Sequence, residues 1–212
     1  MRSEVLIVAS PGRGPRFECQ GAIAVRHTAA DTVYLVSAAA TPLGGDDIHF
    51  RVVVEHGAQL RVRSVAAAIA LPGPGSTDSH AHWDLDVAGD LDMDPLPTIV
   101  AAAARHFSST RVLLADAGRI TLRERVQIGR AGEQGGFWSG ALSVDVTAGP
   151  LLRHRVELGV GSPADDLLGA PRAQISTFSY PDREIPGSDT VLALQHGGFL
   201  ATWQGERLPP QS

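Results

Sequence analysis

The stretch Ile48 to Ser64, IHFRVVVEHGAQLRVRS, decides the fold class. Its apolar residues recur at every second position, with Phe50, Val52 and Val54 before His56-Gly57 and Leu60 and Val62 after it. Side chains alternate across an extended chain, so this period places both runs on one buried face of β-structure. The Gly-containing break between them predicts a β-hairpin in which the two runs pair with each other. Similar segments recur outward in both directions: EVLIVAS (4–10), TVYLVSA (32–38), RITLRERVQI (119–128), ALSVDV (141–146), LRHRVELGV (152–160) and TVLALQH (190–196). Turn signals at spacings of about ten residues predict an all-β sandwich or barrel with few short helices. One domain is expected over residues 1–208, followed by a flexible tail, 209–212. Two places favour helix: TIVAAAARHF (98–107), with Thr98 as N-cap, and a single turn in SPADDLLG (162–169). No internal repeat is evident.

The composition of the 212 residues excludes several function classes. Its formal net charge is −5, and the 18 basic residues, all Arg, are interspersed with acids, leaving no basic footprint for nucleic acid. With one cysteine, Cys19, neither an intramolecular disulfide nor a Cys-x-x-Cys metal site can form. Cys19 alternates with Phe17 and Gly21 and is expected as a small core residue. The apolar run near the start, VLIVA, is too short for a signal peptide, and no segment approaches ~18 apolar residues. A cytoplasmic protein without a membrane span is expected. The phosphate-loop, zinc-protease and nucleophile-elbow motifs are missing, and without Lys there is no Schiff-base or phosphate-loop lysine.

One stretch invites a metal reading. In STDSHAHWDLD (76–86), Asp78, His80 and His82 spell D-x-H-x-H. In a strand, His80, His82, Asp84 and Asp86 share one face, where imidazoles could share an ion and carboxylates complete its shell. The same alternation is what an antiparallel strand with one wet and one oily face shows, and that reading is preferred. An amidohydrolase barrel would need about 250 residues of alternating strands and helices. His106, His154 and His196 supply no second ligand pair. A small β-fold metal-dependent hydrolase using His80 and His82 stays open as an alternative.

Three other stretches carry a resemblance. In the first, VYLVSAAATPLGGDDIHFRVVVEHGAQLRVRS, the turn at Leu43-Gly44-Gly45-Asp46 leads into the strand unit already described. The second is LDMDPLPTI (91–99). The third, RVQIGRAGEQGGFWSGALSVDV, places Gly129-Arg130 and Gly132-Glu133 ahead of Phe137-Trp138. In order and spacing, from about Arg16 to Leu158, these resemble the urease accessory protein UreD family, called UreH in some organisms. The chain departs from that family at Ser64-Val65-Ala66-Ala67-Ala68, where polar residues are usual, and in an abbreviated C-terminal region, as in a short actinobacterial-like branch.

The resemblance implies a mainly β fold of layered antiparallel or mixed sheets, sandwich-like or β-helical, and a non-enzymatic urease maturation factor. Such a protein would join UreF and the GTPase UreG, with UreE upstream, dock on the urease apoprotein and help insert nickel into its active site. It implies no tightly bound cofactor, only transient passage of Ni(II) through a carboxylate-lined interior. On that reading Glu124, Glu133, Asp46 and His154 are candidates for the nickel path. Gly44, Gly45, Gly129, Arg130 and Gly132 form the structural motif, and Phe137 and Trp138 form an exposed contact for partners. Each has a plainer reading: a surface ion pair of Glu124 with neighbouring arginines, a loop cap for Glu133, an Asx-type turn for Asp46, a core histidine at His154 and a cap on the β core for Phe137 and Trp138. A pure assembly scaffold that never contacts nickel is the other alternative.

Overall fold

The computed structural model describes residues 1–167, 170–181 and 190–210. In chain order the strands are β1 (Arg2–Ala9), β2 (Arg16–Gln20), β3 (Ile23–Ala29), β4 (Thr32–Ser37), β5 (Asp47–Val54) and β6 (Gln59–Ser64). There follow β7 (Ala68–Ala70), β8 (Asp78–Val87), β9 (Asp90–Met93), β10 (Thr98–Val100), β11 (Arg105–Leu114) and β12 (Arg119–Ile128). The last are β13 (Phe137–Val146), β14 (Gly149–Gly159), β15 (Ala173–Tyr180), β16 (Thr190–Ala193) and β17 (Phe199–Gly205). A single helical turn, α1 (Pro163–Leu167), lies where SPADDLLG predicts one.

Two sheets stack face to face. Sheet A has the order β14-β13-β11-β8-β5-β1-β2, and sheet B the order β16-β17-β15-β12-β9-β6-β4-β3. The middle of each is parallel, β13, β11, β8, β5 and β1 in one and β12, β9, β6 and β4 in the other. The antiparallel pairs lie toward the margins.

The predicted hairpin is therefore absent. β5 belongs to sheet A and β6 to sheet B, so His56-Gly57 turns an arch that carries the chain from one layer to the other. The arch recurs from β8 to β9 and from β11 to β12, giving a solenoid-like core with an internal repeat. The burial pattern of the quoted stretch nevertheless holds: Phe50, Val52, Val54, Leu60 and Val62 are all buried in one interior. Hairpin and arch have the same period of two, and only distant partners distinguish them.

The arches stack through the backbone. Ala88 N and Gly89 N donate to Val54 O (2.8 and 3.2 Å), and Asp90 N donates to Ala58 O (2.9 Å). One layer further, Ala115 N donates to Val87 O (3.0 Å) and Arg119 N to Gly89 O (2.9 Å). This packing requires Gly89, where a Cβ would meet Ala58 O at 2.3 Å and Glu55 O at 2.5 Å. A large apolar cluster from both sheets fills the space between, and each fully buried Val, Leu, Ile or Phe contributes roughly 1.5–3 kcal/mol.

Two further expectations fail for local reasons. Residues 98–107 form no helix: β10 pairs in parallel with β7 and β12, and Ala103 takes a left-handed conformation (φ 64°) that breaks any helical run. Cys19 is exposed, because β2 is a sheet margin whose every residue is exposed. Strand β8 keeps its wet and oily faces, but it runs parallel to both β5 and β11. Among the described residues no helix is long and apolar enough to cross a membrane.

Candidate functional site

Strand β12 sets the site. Alternation sends Ile120, Leu122, Glu124, Val126 and Ile128 toward sheet A, so a carboxylate interrupts an otherwise apolar inward row. Its neighbours Arg123 and Arg125 face the other way and pair with Asp94 at 3.1 and 2.6 Å. They do not form the surface ion pair with Glu124 that adjacency in sequence suggests. Instead Ser108 Oγ, on the facing strand β11, donates to Glu124 Oε1 at 3.0 Å. Asp92 likewise turns outward, to Arg63.

Glu124 and Ser108 line a cavity of about 430 Å³ between the sheets. His106, Trp138 and His154 from sheet A and Gln174 and Ser176 from sheet B share the lining, among mostly apolar neighbours that include Val65, Ala66 and Ala67. Burial pushes the Glu124 carboxyl above the ordinary glutamate range, against the smaller opposing effect of the Ser108 hydrogen bond. Burial, with a smaller contribution from His80, lowers His106 to about 4, and its Nδ1 lies 2.9 Å from Ser79 Oγ. Burial also lowers His154. Both imidazoles are thus held neutral. His154 Nε2 and Trp138 Nε1 are buried without a hydrogen-bond partner among the described residues, so the wall of the cavity carries unmet polar groups. One carboxylate and two neutral imidazoles, spread around a largely apolar space, suit brief contacts with a divalent cation better than its retention.

The other candidates lie elsewhere, outside the cavity lining. Asp46 is buried in its own turn: Oδ2 accepts from Thr41 Oγ1 and Leu43 N (both 2.9 Å), and Oδ1 accepts from the Met1 amine (2.8 Å). Burial alone would raise this carboxyl, but those three bonds together hold it below the usual aspartate range. Gly45 in the same turn has φ +92°, which glycine allows, whereas Gly44 is required by close approach, its Cβ falling 1.9 Å from Ser76 O. Glu133 clasps a loop, accepting from Arg130 Nε at 2.8 Å and from the amides of Ala102 and Arg130 at 3.1 Å. The Arg130 guanidinium and the two amides hold its carboxyl down at about 2. Gly129 and Gly132, both with positive φ, flank Arg130 in this clasp. Neither acid is placed to meet an ion in the cavity.

Phe137 and Trp138 are not an exposed patch. Trp138 is 1% exposed, packed with Val100, Ala104, Val126, Ile128 and Leu158 in a second apolar cluster. Phe137 is 7% exposed beneath the Arg105 guanidinium, 4.2 Å from the ring centroid. The first four residues of β13, Phe137 to Gly140, are all buried, so this aromatic pair presents no free face. His80 and His82 lie on the outer face of sheet A, the side away from the cavity. The sequence reading missed His106 and Ser108, although alternation along RHFSSTRVLL aligns them with the buried Val112 and Leu114.

The model of the family described as UreD urease accessory protein matches residues 16–176. A urease accessory protein UreD from Frankia alni is 44% identical over 200 residues, 81% of this chain and 67% of that protein. One from Frankia casuarinae is 39% identical over 193 residues, covering 82% of this chain and 60% of the relative. A urease accessory protein UreD 1 from Saccharopolyspora erythraea is 32% identical over 211 residues, covering 95% and 80%. The chain therefore spans about three fifths to four fifths of the length of these relatives. On this match, the chain belongs to the UreD urease accessory protein family.

Proposed function

We propose that the protein is a cytoplasmic urease maturation factor, a non-enzymatic conduit that hands Ni(II) to the urease apoprotein through the cavity between its sheets. The observation that carries this reading is Glu124, an inward carboxylate with a single hydroxyl donor in a space bordered by two neutral histidines. Nickel is cargo here, so it must be released, and an isolated carboxylate with partial water coordination releases a hard or borderline cation more readily than a Cys/His cage. Desolvation opposes a bare charge on Glu124, and a passing dication supplies the missing partner. UreF and UreG are the partners this reading assigns, with urease itself as acceptor. Catalytic machinery is not needed for such a role.

The test is urease co-expressed with its other accessory proteins and with wild-type chain, Glu124→Gln or no chain. Nickel per urease active site should fall sharply without the chain. It should also fall with Glu124→Gln, while the complex still co-purifies. Full nickel loading with Glu124→Gln would leave a scaffold role and remove the conduit.

A further inference from the structure

The outer face of sheet A carries a second convergence of ligands. Strands β5 and β8 run in parallel register, with Asp47 opposite His80 and His49 opposite His82. Because Asp47 and His49 are two residues apart on one strand, both project outward beside His82. The ligand atoms of Asp47, His49 and His82 all lie within 4.8 Å of one another. His49 Nε2 is 3.0 Å and His82 Nε2 3.2 Å from Asp47 Oδ1. Donors bound at ~2.0–2.2 Å to one ion are separated by roughly 2.8–3.6 Å, from cis-octahedral to tetrahedral geometry. The two measured separations fall in that interval.

Asp47 Oδ1 is in ion-pair contact with both imidazoles, although it and His49 Nε2, atoms with almost no surface of their own, lack a hydrogen bond of good geometry. His82 is oriented from behind: its Nδ1 lies 2.8 Å from Ser109 Oγ on β11, which can accept a hydrogen bond from Nδ1–H and leave the Nε2 lone pair directed at the cluster. The ring planes are held by a row of stacked rings across the sheet: His49 on His82 (4.7 Å), His82 beside His80 (6.1 Å) and His80 on Phe107 (5.0 Å).

We propose that Asp47, His49 and His82 form a surface site for one borderline divalent transition-metal ion, nickel or zinc, with Ser109 as the positioning residue for His82. Two imidazoles disfavour calcium and magnesium, which take oxygen ligands. Three protein ligands on side chains 38–47% exposed leave coordination positions open to water, the pattern of an exchangeable site and not of a closed structural one. This site is separate from the cavity and does not depend on the conduit reading.

Isothermal titration of the untagged full-length chain with NiCl₂, and separately with ZnCl₂, at neutral pH tests the proposal. One equivalent should bind in the micromolar range. His49→Ala and His82→Ala should each weaken binding by at least about tenfold, and Ser109→Ala by about tenfold, the usual effect of losing an orienting partner. His27→Ala, at an exposed histidine elsewhere, should bind as wild type. Circular dichroism should be unchanged for every variant, because the substituted side chains leave the core intact. His49→Gln and His82→Gln serve if an alanine variant misfolds. Absence of saturable binding to wild type overturns the proposal. So does one-equivalent binding that survives His49→Ala/His82→Ala or is lost in Glu124→Gln, which would put the ion in the cavity.

Discussion

Replacing Gly89 by Ala tests the stacked-arch account of this fold. The new Cβ would lie 2.3 Å from Ala58 O and 2.5 Å from Glu55 O, far inside the ~3.5 Å of ordinary carbon contacts. Both obstacles are backbone, and Ala58 is itself tied down, its N donating to Glu55 O at 2.9 Å. Relief requires the β8–β9 arch to lift off the β5–β6 arch. That movement breaks the bonds from Gly89 N to Val54 O and from Asp90 N to Ala58 O, at about 1 kcal/mol each. Residual overpacking adds about 1–3 kcal/mol, for a total near 3–5 kcal/mol. In a chain of this length such a loss lowers Tm by roughly 6–20 °C. Gly75→Ala is the control, because its Cβ meets nothing within 4 Å, and it should stay within about 0.5 kcal/mol of wild type. Urea unfolding of the three proteins, followed by circular dichroism, gives the comparison. If Gly89→Ala matches Gly75→Ala, the arches are not held in rigid contact and the reasoning fails.

Further predictions concern the interior. Trp138→Ala should cost about 3–5 kcal/mol in urea unfolding, since it empties the centre of the second apolar cluster. Glu124→Gln should stabilise the chain at neutral pH. The native state holds the Glu124 proton more tightly than the unfolded chain does, so wild-type stability falls as pH rises above the unfolded value. The gain from Gln should therefore vanish below the ordinary glutamate range, as urea midpoints against pH will show. His106 titrates in the opposite sense: with its native value lowered to about 4, stability is lost as pH falls from about 6.5, on the order of 3 kcal/mol in all. His106→Asn, which retains an acceptor for the Ser79 hydroxyl, should flatten that part of the acid-unfolding curve.

The faces of the strands were legible in the sequence, and their partners were not. Alternation in IHFRVVVE and QLRVRS identifies every buried residue of β5 and β6, yet it is blind to whether the next strand lies alongside or in the opposite layer. The arches after Val54, Val87 and Leu114 enclose four, two and four residues, so the repeat they generate has no fixed period to detect. Glu124 could be singled out, but its inward direction depends on which face of β12 meets sheet A, and the adjacent arginines suggested a surface pair. Trp138 looked exposed because its glycine neighbours resemble a loop; Gly140 is small to admit the ring, lying against Trp138 Cζ2 where a Cβ would fall 2.1 Å away. The D-x-H-x-H pattern drew attention to His82 with the wrong companions. Asp47 and His49 join it from another strand, through a register that no local spacing encodes.

Strand β11 makes the two chemistries of this molecule neighbours across a single peptide unit. Ser108 serves the carboxylate of the interior, and Ser109, the next residue, serves the imidazole of the exterior. A sheet one residue thick is thus a partition with a different solvent, dielectric and ligand set on each side, and the chain's alternation determines which side each hydroxyl addresses. Loss of one residue in the turn at 101–104 would turn the partition inside out, sending Ser109 to Glu124, Thr110 to His82, and Phe107 into the interior in place of His106. The length of that four-residue turn, in which Ala103 takes its left-handed bend, is therefore as much a determinant of both sites as any side chain in them.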